Sequence, residues 1–378
     1  MRFRFSGLLW LLLASVVEAP AQTPLPALPP PRFDHNSTPG PRHWRGTIGQ
    51  QAVTLELDSG RWGYHGQYYY DRRGRTLGLS QESKIRKGRQ TELVERDDWK
   101  PTGTLLFNGP LRAQLTGTWR SPDGRRTLPV ALHETHADAL AYDEETWEVK
   151  QFIRGGFSDS TRLDSVELRQ YYLNFRRPQG AIRPPSAALG LPVPRPRMNQ
   201  YVDSLLRTRH ADQFGYFFYG DIYVMYNSNH LFSVVNFEHF MATGDEGMGT
   251  HEWSRCSTYD LRTGRRLTLA DMLMPGYGPQ LRRCLQQQLK PIWANVHYSD
   301  VGANGKLPAS GFLVTGTGLT FSYDDRDDES LGFPGPYHAD RSITVEVPYE
   351  ALLPIVRPTG PLAALLRERH LLPKKPVP

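Results

Sequence analysis

One stretch, from Leu231 to Leu273, limits the folds open to this chain more than any other. It opens on LFSVVNFEHFM, where period-2 alternation puts Leu231, Val235, Phe237 and Met241 on one face of a strand. The polar, Gly-rich segment ATGDEGMGTHE is expected to break that strand, and WSRCSTYDL supplies the next one. Between Asp260 and Leu267 the tetrad Arg262-Thr263-Gly264-Arg265 forms a hairpin turn, with Gly264 free to take a positive φ. Thr268 and Asp271 stand at capping-box spacing, so a helix starts where the strand stops and returns Met272 and Leu273 to the same core. Nothing in the stretch is a catalytic signature.

Upstream, residues 43–135 read as an all-β domain. WRGTIG, AVTLEL, WGYHGQYYY, TLGLS, TELVER, GTLLFN, LRAQLTGTWR and TLPVALHE recur every 8 to 12 residues or so, separated by Asp58-Ser59-Gly60, Arg73-Gly74 and Pro122-Asp123-Gly124. That is an antiparallel meander rolled into a barrel or a sandwich. On its pleated strand Tyr68, Tyr69 and Tyr70 cannot all face inward, so at least one ring points out, onto a neighbouring strand, a sugar or a lipid. His133-Glu134-Thr135-His136 lacks the four-residue histidine spacing of a helical zinc site and reads as a strand end.

Residues 136–357 read as an α+β domain with an antiparallel sheet and two or three helices. WEVKQFIRG and LRQYYLNFRR are strands, and Met198 to Arg209 is a helix. YFFYGDIYVMY pairs with LFSVVNFEHFM through a turn at Asn227-Ser228-Asn229. After the central unit come a helix from Pro279 to Asn295, the hairpin GFLVTG and GLTFSYD, the strand SITVEVPY, and a short helix within Tyr349 to Val356. Residues 358–378 form a basic, Pro-rich tail with one short helix.

The amino end is basic (Arg2, Arg4), then apolar from Leu8 to Val17, then small at Ala19 and Ala21. Residues 1–21 are therefore expected to be a signal peptide cleaved after Ala21, which places the mature chain in the periplasm or outside the cell. No later segment approaches the roughly 20 apolar residues of a membrane-spanning helix. Residues 22–42, with Pro24, Pro26, Pro29, Pro30, Pro31, Pro39 and Pro41, are expected to be an extended spacer. The formal charge of +6 is scattered and no aromatic-basic module accompanies it, so nucleic acid is not an expected partner. The oligomeric state is not encoded in any pattern.

Cys256 and Cys284 are the two cysteines of a chain bound for an oxidising compartment, and a disulfide is the expected use of them. Cys284 lies in the helical stripe Leu281, Cys284, Leu285, Leu289 and Ile292, expected to face the sheet that carries Cys256; two buried thiols are the alternative. Gly-x-Ser-x-Gly, Ser-x-x-Lys with partners, a phosphate loop and His-Glu-x-x-His are all missing, so the sequence names no catalytic residues, metal or cofactor. A carboxylate pair drawn from distant strands would leave no such pattern. His251, with Glu252 beside it in the expected polar loop, suits a ligand contact or a general base, whereas His239 reads as a hydrogen-bonded core residue. Asp324, Asp325, Asp327, Asp328 and Glu329 form the densest acidic run, interrupted by Arg326. Calcium would ask for alternate acids and a turn glycine; a docking surface for a basic partner and a solvated loop are the other uses.

The order of pieces resembles a known domain. Gly249-Thr250-His251, then Tyr259-Asp260-Leu261-x-Thr263-Gly264-x-x-Leu267-Thr268-Leu269-x-Asp271, a Cys-bearing helix, Gly318-Leu319-Thr320-Phe321, Pro336-Tyr337 and Val345-x-Val347-Pro348-Tyr349-x-x-Leu352 are similar to an extracytoplasmic domain of unknown function. That domain is shared by the lysozyme-sensing anti-sigma factor RsiV and the peptidoglycan deacetylase PdaC, and the resemblance covers residues 165–357. Two departures are visible: Met248 and Thr250 where the family has a Gly-Gly-Ala-His run, and an acidic loop with Asp340 near the Pro-Tyr element. The sensor's membrane and sigma-binding segments and the deacetylase's catalytic module have no counterpart here. The resemblance implies a non-enzymatic module of the bacterial cell envelope that binds a lysozyme-like protein or peptidoglycan; Tyr337, His251 and Glu252 are its candidate ligand contacts, and Asp324, Asp325, Asp327 and Asp328 are candidates by their charge alone. A cell-wall or lipid hydrolase centred on His251, and a small-lipid carrier built on the amino-terminal β-domain, are the alternatives.

Overall fold

The computed structural model describes residues 32–60, 63–81, 90–154, 163–176, 182, 184–185, 214–244, 247–293, 307–308, 311–323 and 343–373. The signal segment, residues 22–31, the expected helix at 198–209 and the acidic run at 324–329 lie outside them, as do the side chains of His239 and Ile292. The described residues are mostly β, with two sheets, a closed barrel and four helices.

The chain enters as β1 (Arg32–Pro39) and then forms the barrel. Its staves are β2 (Arg42–Ile48), β3 (Gln51–Gly60), β4 (Gly63–Tyr70), β5 (Thr76–Ser80), β6 (Thr91–Asp97), β7 (Lys100–Phe107), β8 (Gln114–Arg120) and β9 (Thr127–Glu134). Each pairs antiparallel with the next, and β9 closes on β2. Alternate residues point inward and fill the interior: Trp44, Leu55, Tyr68, Leu93, Leu105, Phe107 and Leu132 are all buried in one cluster. The carrier alternative therefore loses the hollow apolar interior that it needs. Among the described residues one carboxylate, Glu95, sits with these side chains and accepts hydrogen bonds from Tyr68 Oη and from Trp119 Nε1, the latter at 2.6 Å.

The second domain is built on a seven-stranded sheet in the order β1, β10 (Tyr142–Arg154), β11 (Leu163–Phe175), β12 (Phe214–Ser228), β13 (Leu231–Gly244), β14 (Gly247–Asp260) and β15 (Arg265–Arg266). Only β11 and β12 run parallel. β1 corrects one expectation: residues 32–39, read as part of an unpaired spacer, zip along β10 from Arg32↔Lys150 to Pro39↔Asp143. Pro39 closes this edge strand, where a missing N–H costs the ladder nothing. The barrel is thus an insertion between two neighbouring strands of one sheet. The β12–β13 turn also moves, from 227–229 to Asn229-His230. Both residues have positive φ, as a two-residue hairpin turn requires, and Asn227 instead bonds the backbone of Leu140 at 2.7 and 2.9 Å.

The central unit follows the sequence closely. Gly264 has φ +71°, and Thr268 donates its N–H and its hydroxyl to Asp271 Oδ2 at 2.8 and 2.7 Å, opening α1 (Leu269–Met272). Those bonds from Thr268, with Arg265 adding to them, hold the Asp271 carboxyl at about 2, below the usual 3.8. Asp271→Ala is expected to lower unfolding free energy by about 0.5–1 kcal/mol at neutral pH. A depressed pKa stabilises above the unfolded value and is lost as pH falls through the folded one. The gap between variant and parent in denaturant melts should therefore close between about pH 4 and pH 2; a gap constant down to pH 2 would contradict this role.

A small sheet of β16 (Leu313–Val314), β17 (Gly318–Tyr323) and β18 (Ile343–Pro348) covers β13 and β14. Val314 N donates to Ser233 Oγ and Thr258 Oγ1, each at 3.1 Å, tying the two layers. On its far side lie α2 (Gly278–Trp293), which packs on β18, and α3 (Tyr349–Leu352). This layering overturns the expected disulfide. Cys256 is buried against Val235 and Leu313 beneath the small sheet. Cys284 is buried above it, its Sγ 3.7 Å from the carbonyl oxygen of Ala351. The stripe of α2 does face a sheet, but not the sheet that carries Cys256, and the two sulfurs form no bridge.

The tail carries the one short helix expected of it, and that helix is packed rather than solvated. Through α4 (Ala363–Glu368), Leu362, Leu365 and Leu366 are buried in the second domain's core. Residues 374–378 lie outside the described residues. No described helix is long and apolar enough to cross a membrane.

Candidate functional site

The ligand candidates are placed by strand register. Gly244 pairs with Gly247, so the β13–β14 ladder runs through the Gly-rich segment on both sides of residues 245–246, which lie outside the described residues. His251 and Glu252 consequently stand in β14, opposite Phe240 and His239, rather than in a loop. Their side chains lie outside the described residues.

Asp324, Asp325, Asp327, Asp328 and Tyr337 belong to residues 324–342, also outside the description. The ends of that segment are defined, however, because Tyr323 pairs with Ile343. Ser254 Oγ of β14 donates to Ser322 Oγ of β17 at 3.2 Å. This contact brings the strand bearing His251 and Glu252 to the point where the acidic segment leaves and returns. Sequence separation alone could not show it, since the two strands belong to different sheets.

A cleft of about 420 Å³ opens nearby between β14, α1 and Leu307, Pro308, Gly311 and Phe312. Cys256, Arg266, Leu269, Tyr277, Phe312 and Phe321 are among its walls, and among the described residues neither histidine nor carboxylate lines it. Arg266 Nη2 donates to the carbonyl oxygen of Cys256 at 3.1 Å, leaving the guanidinium at the mouth. Such a lining can hold an apolar group.

The most heavily connected polar group was not marked by any sequence pattern. Arg369 is buried at the domain junction, donating from Nε to the Gly316 carbonyl at 3.0 Å and from Nη1 to Glu368 and to the Asp71 carbonyl. Arg45 of the barrel meets Asp138 at 3.0 Å, Glu368 at 3.6 Å and Ser228 Oγ at 2.6 Å. Tyr69 is the outward ring of the tyrosine triplet. It stacks on Tyr226 at 6.3 Å under the Arg369 guanidinium, so it joins two domains rather than facing solvent. Burial, then the Glu368 carboxylate, pushes the Asp71 carboxyl up. Gly74 and Gly316 meet so closely that a Cβ on Gly74 would lie 2.0 Å from the Gly316 oxygen.

The fold and these contacts define a mostly β protein: a filled eight-stranded barrel held by buried polar contacts against a second sheet with its helices. No family model and no curated protein matches the chain. Its structural neighbours are proteins of the DUF3298 family, a domain of unknown function. One, from Bacteroides fragilis NCTC 9343, is 14% identical, with a TM-score of 0.43 over 61% of this chain and 99% of its own. Another, from Pseudomonas aeruginosa PAO1, is 18% identical, with a TM-score of 0.39 over 59% of this chain and 97% of its own.

Proposed function

We propose that the chain is an exported, non-enzymatic recognition module of the bacterial cell envelope, and that its ligand is a lysozyme-like basic protein or peptidoglycan. The contact between Ser254 and Ser322 supports this reading, because it sets β14, the strand of His251 and Glu252, beside β17, whose last residue Tyr323 precedes the acidic run in the sequence. Several carboxylates there, on a chain of net charge +6, make a local field suited to a cationic partner. The resemblance to the extracytoplasmic domain of RsiV and PdaC supports the same choice, and the leader-like residues 1–21 support export.

Titration of the purified chain with lysozyme and with soluble peptidoglycan fragments tests the proposal. Binding to one of them is expected. If the ligand is lysozyme, neutralising Asp324, Asp325, Asp327 and Asp328 to asparagine should slow association about tenfold at low salt and less at high salt. Absence of measurable affinity for either ligand would remove the proposal.

A further inference from the structure

The barrel carries a second surface, remote in sequence from the proposed ligand face. Because its strands alternate in direction, the β2–β3, β4–β5, β6–β7 and β8–β9 turns emerge at one rim. Arg75 meets Asp97 at 2.6 Å, tying the second of these turns to the third. Tyr70, at the end of β4, has both Arg73 and Arg126 as charged neighbours, which brings the fourth alongside. Arg72, Arg73, Lys100, Arg120, Arg125 and Arg126 are all exposed on this rim, against the exposed acids Asp98 and Asp123.

At its tip stands Trp99, 91% exposed, the most exposed large apolar side chain among the described residues. Indoles are rarely left so bare, since each can bury 150 Å² or more. The turn that carries it is fixed: Asp98 takes φ +54°, and Arg96 Nη1 donates to the Trp99 carbonyl at 3.1 Å. The ring is therefore held out from the rim by a defined backbone.

We propose that this rim docks on an anionic lipid bilayer, with Trp99 seated at headgroup depth and the surrounding arginines and Lys100 against lipid phosphates. An indole on a convex tip suits a plane that yields to it, and bilayer interfaces favour Trp. A linear polyanion or a sugar chain asks instead for a groove, or for a ring flanked by side-chain walls, and 91% exposure leaves Trp99 no such walls. Neither signal is strong alone; basic charge and an inserted aromatic together give reversible attachment.

The test is co-sedimentation of the full chain with vesicles of phosphatidylcholine alone and with about 30 mol % phosphatidylglycerol added. Partition is expected only with the anionic lipid, falling about tenfold in Trp99→Ala. Arg125→Ala and Arg126→Ala should each weaken it about fivefold and flatten its salt dependence. Because the Trp99 ring makes so little protein contact, the thermal melt of Trp99→Ala should match the parent, which separates lost docking from lost folding. Failure of the parent to bind anionic vesicles overturns the proposal, and so does equal partition by Trp99→Ala. Retention on soluble dextran sulfate that is indifferent to Trp99, without vesicle binding, would assign the rim to polyanions and overturn it too. Because the proposed envelope ligand concerns the other domain, either proposal can fail while the other stands.

Discussion

Arg369→Ala is expected to lower the unfolding free energy by about 3–5 kcal/mol, the range found when one member of a buried ionic group is removed. Arg369 is 5% exposed, and its guanidinium serves the Asp71 and Gly316 carbonyls and the Glu368 carboxylate at once. Its removal leaves Glu368 with Asn229 Nδ2 at 2.9 Å and the part-buried Arg45 at 3.6 Å, and two buried carbonyls without that donor. The Tyr69 ring also loses the cation that lies 5.0 Å from its centroid. Barrel and second domain each have a core of their own, so the loss should also split one denaturation transition into two. Arg369→Lys keeps the charge but not the planar fork, and should fall between alanine and parent. Urea melts followed by tryptophan fluorescence and far-ultraviolet circular dichroism check both points. A change under about 1 kcal/mol with one transition retained would show that the junction rests on apolar packing instead.

Inside the barrel, Glu95→Ala should be comparably damaging. Glu95 is 3% exposed, and one of its oxygens receives both the Tyr68 hydroxyl and the Trp119 indole N–H. Deleting that acceptor strips two buried donors at about 1–3 kcal/mol each and leaves a void, for an expected loss of about 3–5 kcal/mol. Burial first, and the Glu95 carboxylate second, push the Tyr68 phenol well above its ordinary range, so it remains a donor throughout the accessible pH range. Glu95→Gln keeps an oxygen in place and should lose no more than about 1–2 kcal/mol. Should glutamine prove as harmful as alanine, the carboxylate charge rather than its acceptor geometry would be what the barrel needs. Gly103 belongs to the same arrangement, because a Cβ there would lie 2.4 Å from Trp119 Nε1 and block the indole from reaching Glu95.

Much of the architecture was legible wherever one periodicity governs a short segment. The eight barrel strands follow from apolar alternation and turn residues, and Thr268 with Asp271 marked a helix start correct to the residue. What escaped the sequence depends on what lies across from a segment. The stripe through Cys284 pointed to a sheet but could not say which, and an intervening layer separates it from Cys256. Residues 32–39 lie in a Pro-rich stretch and gained a partner only because β10 returns past them. Gly244 and Gly247 looked like a break, yet glycine is also tolerated where a hairpin closes. For the candidate site, residue types were legible and positions were not. His251 reads as a loop residue beside Glu252, and its place in a ladder follows from pairing with Phe240. Arg369 sits in what reads as a basic tail; no local pattern separates a clamp from a solvated charge.

The insertion of the barrel between β1 and β10 has a mechanical consequence. The Gly40 N–H meets the Tyr142 carbonyl at 3.2 Å where the excursion begins and ends. Tension applied between β1 and α4 therefore travels through the second domain, across the β1–β10 ladder, without stretching the barrel. The barrel would feel the pull only after β1 had been sheared away, so under strain from its two sides the molecule should yield in two ordered steps, with the inserted unit extending last.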